Sequence, residues 1–161
     1  MDLKHDTIII RPCLAQYVIN DLWMICIVLV LAYAYTLHIA YVSNICLLLV
    51  ILVQLLMVYR FGCMLTIRYI LTQEQLIFQH GIINHSTEYM ELYRVVDYKQ
   101  NRSLAQQLFG LKTVVIMSGD RTMPELDIIG VKDYENVVGV IRERVEFNKK
   151  RKGIYEITNR I

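Results

Sequence analysis

Glycine and proline are scarce, at 7 and 2 of 161 residues. That excludes collagen-like and low-complexity chains. The four cysteines, Cys13, Cys26, Cys46 and Cys63, form no C-x-x-C pair. A disulfide framework is therefore unsupported, and they read as small apolar side chains on a reducing side of the cell. No G-x-S-x-G, no H-E-x-x-H and no phosphate-binding glycine loop is present, which removes the common signals for hydrolase, metalloprotease and nucleotide sites. Net charge is only +2, from 17 basic and 15 acidic residues. Such a balance excludes a nucleic-acid partner driven by bulk charge. The most telling shortage is local. No charged residue occurs between Asp21 and Arg60, leaving 38 uncharged positions, Leu22 to Tyr59.

A membrane helix needs about 20 apolar residues. Thirty-eight fit two short spans and a tight turn. Leu22–Leu37 is the first run and Ile45–Tyr59 the second, with His38, Ser43 and Asn44 between them. The expected spans are about residues 20–38 and 44–60. Pro12 suits an early helical position and lets the first helix extend upstream through an interfacial lead-in, Cys13–Asn20. A hairpin buried in a soluble protein is the competing reading. It fails because only about 100 residues remain to cover two apolar helices. A cleaved signal peptide ending near Ala32-Tyr33-Ala34 is another. Against it, Asp2, Asp6 and Asp21 dilute Lys4 and Arg11, and the second run would still span. Lys4 and Arg11 precede the first span, Arg60 and Arg68 follow the second, and the tip carries no base. The positive-inside rule then places both termini of a multi-pass membrane protein in the cytoplasm and the tip outside. Tyr17, Trp23, Tyr33, Tyr35, Tyr41, Tyr59, Phe61 and Tyr69 fit aromatic belts.

After Arg60 the period changes. Leu65–Leu71, Gln75–Gln79, Ile82–Leu92, Tyr93–Gln100, Leu111–Met117 and Thr122–Ile129 read as strands, close in sequence and hence antiparallel. Ser103–Phe109 reads as a short helix ended by Gly110. Val131–Lys150 reads as a longer helix with Asp133 as N-cap and Val137, Val138, Ile141, Val145 and Phe147 on one apolar face. The expected organisation is an N-terminal segment and hairpin at 1–60, a cytoplasmic domain at 61–150, and a basic tail at 151–161.

Three stretches in this order resemble the bacterial pleckstrin-homology-like family found in short membrane proteins. They are YILTQEQLIFQHGII from Tyr69, MELYRVV from Met90, and NRSLAQQLFGLKTVV from Asn101. The resemblance covers about residues 65–148, and a preceding membrane-helix pair is common in that family. It implies a strongly bent antiparallel sheet of about seven strands with a C-terminal α-helix, and it implies no catalytic residues. The first hairpin loop, Thr72-Gln73-Glu74-Gln75, departs from phosphoinositide-binding relatives of the wider fold, because one acid and no base makes a poor phosphate cradle.

Few side chains carry candidate chemistry. Of the four histidines, His5, His38, His80 and His85, the last two flank a turn with no Cys, Asp or Glu inside it and read as solvated. Glu88, Glu91 and Asp97 alternate with apolar residues and read as wet strand faces. No cofactor, metal or catalytic residue is expected, so the chain reads as non-enzymatic. Gln54, inside the second run, is a candidate helix–helix contact for a partner or a homo-oligomer. Arg142, Arg144, Lys149, Lys150, Arg151 and Lys152 form a basic cluster near the C-terminus. Beside an anionic leaflet each base contributes about 1 kcal/mol, screened over about 8–10 Å. The expected function is an adaptor that presents the domain at the membrane to a protein partner. Leaflet sensing through the basic cluster, and an accessory role in a membrane enzyme or transporter, are the alternatives.

Overall fold

The computed structural model describes residues 6–37 and 42–154. Expectations that fall on Lys4, His5, His38, Tyr41 and residues 155–161 lie outside them. The chain opens with strand β1 (Ile8–Ile10) and continues into helix α1 (Leu14–Thr36) and helix α2 (Val42–Thr66). Strands β2 (Arg68–Leu71), β3 (Gln75–His80) and β4 (Ser86–Glu91) follow. A 3-10 turn at Leu92–Arg94 leads to β5 (Val95–Asn101). Helix α3 (Leu104–Leu108), strands β6 (Leu111–Ser118) and β7 (Glu125–Lys132), and helix α4 (Val137–Arg151) complete the chain.

All strand pairs are antiparallel, in two sheets ordered β1-β2-β3-β4 and β5-β6-β7. Seven antiparallel strands with a C-terminal helix are what the family resemblance implies, here divided into two sheets. Alternation explains the core. In β2, Tyr69 and Leu71 point inward while Arg68 points out, as period 2 requires. Leu76, Met90, Val114, Ile116 and Ile128 join them from the other strands and Leu92 from the 3-10 turn, each fully buried. Helix α4 closes this core with Val137, Ile141 and Val145, spaced i, i+4, i+8 on one face.

Several expectations need correction. Ile8–Ile10 belongs to the sheet, paired with β2 from Ile8↔Leu71 to Ile10↔Tyr69. The hairpin is therefore inserted between the first two strands, and the boundary at residue 60 does not separate it from the domain. Helix α2 runs on to Thr66, so Leu65 is helical and β2 starts three residues later. Asp133 does not cap α4. Its carboxylate pairs with Arg102 and its N–H donates to Gly110 O at 2.9 Å. Asn136 is the cap, its Oδ1 accepting from Gly139 N at 3.1 Å.

The strands have a hairpin end and a far end. Thr66 passes through Ile67 directly into β2, and the β3–β4 turn returns to α2, where Ile82 would touch a Cβ at Gly62. The opposite end carries the β2–β3 turn, the 3-10 turn and the start of β5. Helix α4 runs toward that far end. Arg144 is 3% exposed there and donates to Leu71 O (2.8 Å), Thr72 O (2.9 Å) and Asp6 O (2.6 Å). Asn148, one turn on, donates to Gln73 O at 2.6 Å. These two side chains satisfy the carbonyls of a turn that no strand can reach.

Two measurements test this core. Arg144→Leu is expected to lose about 2–4 kcal/mol, because three carbonyls forfeit a charged, buried donor. Arg142→Leu, two helix positions earlier and exposed, stays within about 0.5 kcal/mol. Chemical unfolding of the detergent-solubilised full chain reads both. Tyr69 donates its hydroxyl to Asp127 O at 2.8 Å, and burial pushes its phenol from 10.0 up to about 12. Its neutral form contributes fully below pH 10. Above that the unfolded chain ionises first, so stability falls between pH 10 and 12. Tyr69→Phe should cost about 1 kcal/mol at pH 7, and the gap from the parent should shrink across that alkaline window.

Candidate functional site

The first site is the junction between hairpin and domain. The two charges that bound the uncharged stretch meet across the hairpin, Arg60 Nε donating to Asp21 Oδ1 at 2.6 Å. Asp21 is buried while Arg60 is partly open. One helix turn toward the domain, the Tyr17 hydroxyl donates to Met57 O at 2.9 Å and its ring meets Phe61 edge-on at 5.0 Å. These contacts lock the legs together at the domain end of the apolar runs.

Helix α1 then seats on the domain. Cys13 N donates to Gly130 O at 2.9 Å. Gly130 has φ +65, and a Cβ there would stand 2.8 Å from Gln16 Cβ. Buried Gln16 accepts from Gln106 Nε2 at 2.9 Å and donates to Asn20 at 2.7 Å. Gln106 also donates to Thr113 Oγ1 at 2.9 Å. Its Oε1 accepts from Ser103 N, and the Ser103 hydroxyl accepts from Gln106 N, a capping box. Each buried amide group of Gln106 thus has a partner, as a buried polar network requires. The S-x-x-Q spacing was readable in the sequence. Its tie to residue 16, ninety positions away, was not.

The second site lies at the far end. The outer edge of β5 carries no strand partner among the described residues. It borders α4 across a groove of about 420 Å³, with Val96, Tyr98, Val145, Arg142 and Lys150 on its walls. Val96 is 68% exposed and sits where the β5–β6 register shifts. Asp97 and Glu146 add negative charge beside the bases.

The structure separates the six expected leaflet-binding residues. Arg144 is a correction: it is buried and bonded to carbonyls, so it cannot meet a headgroup. Burial lowers its pKa from the usual arginine range. Arg142 pairs with Glu146 on the same helix at 2.9 Å. Arg151 pairs with Glu74 at 2.6 Å and holds that carboxyl below its ordinary range. Lys152 stands 3.7 Å over the Tyr93 ring, a cation–π contact. Lys149 lines the groove and Lys150 is exposed beside it. All lie at the far end, roughly 20 Å along β5 from its hairpin end at about 3.3 Å per residue.

Gln54 is exposed on an open apolar groove of about 540 Å³ shared by both hairpin helices, facing Ile25, Val28 and Leu29 across it. His80 stacks on Phe78 at 4.6 Å, 3.4 Å from Glu88, and His85 is exposed. The four cysteines are free thiols. Among the described residues no three His, Cys, Asp or Glu side chains converge as a metal site would need.

A single substitution tests the junction. Gly130→Ala strains a left-handed residue and drives a Cβ into Gln16, so it is expected to cost more than about 2 kcal/mol. Gly110→Ala has similar φ, +61, but open space, and should cost about 1–2 kcal/mol. Paired unfolding curves in detergent compare them.

Residues 15–145 match the family model described as Bacterial PH domain. No curated protein and no solved structure matches the chain.

Proposed function

The chain belongs to the bacterial PH domain family, and we propose that it is a non-enzymatic, membrane-anchored adaptor. Helices α1 and α2 are long and apolar enough to cross a membrane. In this reading they span the bacterial inner membrane, with both termini and the domain in the cytoplasm, following the bases at Arg11, Arg60 and Arg68. The observation that carries the adaptor role is the unpaired edge of β5 beside the α4 groove. A sheet edge with adjoining apolar pockets fits an extended protein segment, which main-chain bonds hold and side-chain pockets select. Val96 and Val145 favour an apolar residue in that segment. Arg142, Lys149 and Lys150 favour an acidic flank. Gln54, on the hairpin's outer groove, is the residue proposed to meet a helix of the partner or of a second copy.

Leaflet sensing is the weaker reading. The bases stand at the end away from the hairpin, and screening over about 8–10 Å leaves them little of the leaflet's field. Arg151 and Lys152 are also engaged within the domain.

Gentle extraction of the full chain from its native membrane, with sizing and mass spectrometry, distinguishes the two. A second protein at fixed ratio is expected, and Val96→Glu should release it at least about tenfold more readily, the effect of about 1.4 kcal/mol. Protein recovered alone, or only with anionic lipid that Lys149→Gln/Lys150→Gln removes, would overturn the adaptor reading in favour of the leaflet.

A further inference from the structure

An apolar shelf flanks the hairpin on the domain itself. Helix α3 turns Gln106 inward and leaves Leu104 81% and Leu108 87% exposed, with half-exposed Phe109 next to them. In the β3–β4 turn Ile83 is 85% exposed and Ile82 partly so. Isolated surface leucines are ordinary, but large apolar side chains gathered on short connecting segments need a partner.

Their positions name the partner. Helix α3 stands against α1 through the Gln106–Gln16 bond. Ile82 stands against α2 at Gly62, where an added Cβ would meet its Cδ1 at 2.7 Å. The two apolar segments therefore sit on either leg of the hairpin, at the level of Gln16 and Gly62.

Helix length places the leaflet boundary at that same level. The uncharged part of α1, Leu22–Thr36, spans about 22 Å at about 1.5 Å per residue. A hydrocarbon core is about 30 Å thick. The remaining depth must come from below Asp21. Leu14, Val18 and Leu22 are all exposed and, at i, i+4, i+8, continue one apolar stripe down to the start of α1. Asp21 does not interrupt it, being turned inward onto Arg60. On α2, the 18 residues Val42–Tyr59 give about 27 Å, so its boundary falls just past Arg60, near Gly62.

We propose that Leu104, Leu108, Phe109, Ile82 and Ile83 rest in the headgroup–acyl boundary of the same leaflet, as a second, interfacial membrane contact beside the spans. The inference rests on the membrane-spanning reading of the hairpin. The two segments stand at the level where helix length places the leaflet boundary, which selects lipid over a protein partner. Interfacial burial of about 5–10 Å is the depth such side chains reach from a helix lying at the surface. The contact would fix the tilt of the domain, leaving the β5–α4 groove directed away from the bilayer.

Tryptophan quenching in the full chain, reconstituted in phosphatidylcholine vesicles with shallow brominated acyl chains, tests this. The chain's one tryptophan, Trp23 on α1, reports the span. In a Trp23→Phe background, Leu108→Trp and Ile83→Trp report the shelf at side chains already exposed, and Glu146→Trp on α4 reports the far end. The shelf positions are expected to be quenched at least about twofold more than Glu146→Trp, as interfacial depth requires. If Trp23 is quenched but both shelf positions match Glu146→Trp, the shelf is wrong and the hairpin stands. If Trp23 itself escapes quenching, the spanning reading fails and the shelf falls with it.

Discussion

The close approach of α1 to β7 at Gly130 governs this structure. Two backbones come near enough for Cys13 N to bond Gly130 O at 2.9 Å, and only a residue without Cβ leaves room for Gln16. Gln16 then reaches Gln106, and through it α3 and β6. A helix that carries exposed leucines is thereby built into the domain instead of being tethered by a linker. Ile67 alone separates α2 from β2, so the second leg allows no swivel either. A flexible tether would let the domain sample many orientations. This one permits few, and the fixed geometry makes a far end and a hairpin end meaningful.

That polarity changes what the C-terminal bases can do. In sequence they form one cluster beside a predicted membrane anchor, which reads as leaflet attraction. In space the strands carry them away from the hairpin, and two are spent on Glu74 and the Tyr93 ring. Exposed ion pairs of this kind contribute little to stability. They nonetheless hold the end of α4 against the β2–β3 turn and so shape one wall of the β5 groove. Position outranks composition here, because a leaflet's field decays over about 8–10 Å.

How much of this the sequence carried depends on whether the signal was periodic. The hairpin was legible because an uncharged run of 38 residues has one cheap solution. Strands β2 to β7 were legible from alternation, with ends off by a few residues, as at Leu65 and Ile82. Strand β1 was not, since Ile8–Ile10 is too short to show a period and its partner lies sixty residues on. Arg144 was misplaced because charge suggested solvent. Its phase told otherwise: three residues past Ile141 and four before Asn148, it lies on the buried stripe of α4. Asp133 had the chemistry of a cap but was drawn to Arg102, leaving Asn136 to take that place. The α3 network was half legible, its capping box being local and its bond to Gln16 not.

The insertion of the hairpin between β1 and β2 ties these elements into one argument. A three-residue edge strand has little to hold it, and closing a loop of about sixty residues costs entropy that grows with its length. The hairpin removes most of that cost. Its legs pair through Asp21–Arg60 and Tyr17–Met57, bringing Cys13 and Thr66 side by side, so β1 arrives already next to β2. Arg144 then bonds Asp6 O on one side and the β2–β3 turn on the other, closing the sheet over α4. Hairpin and sheet thus depend on each other, and a domain cut free at residue 61 would lack both β1 and the surface on which α3 rests.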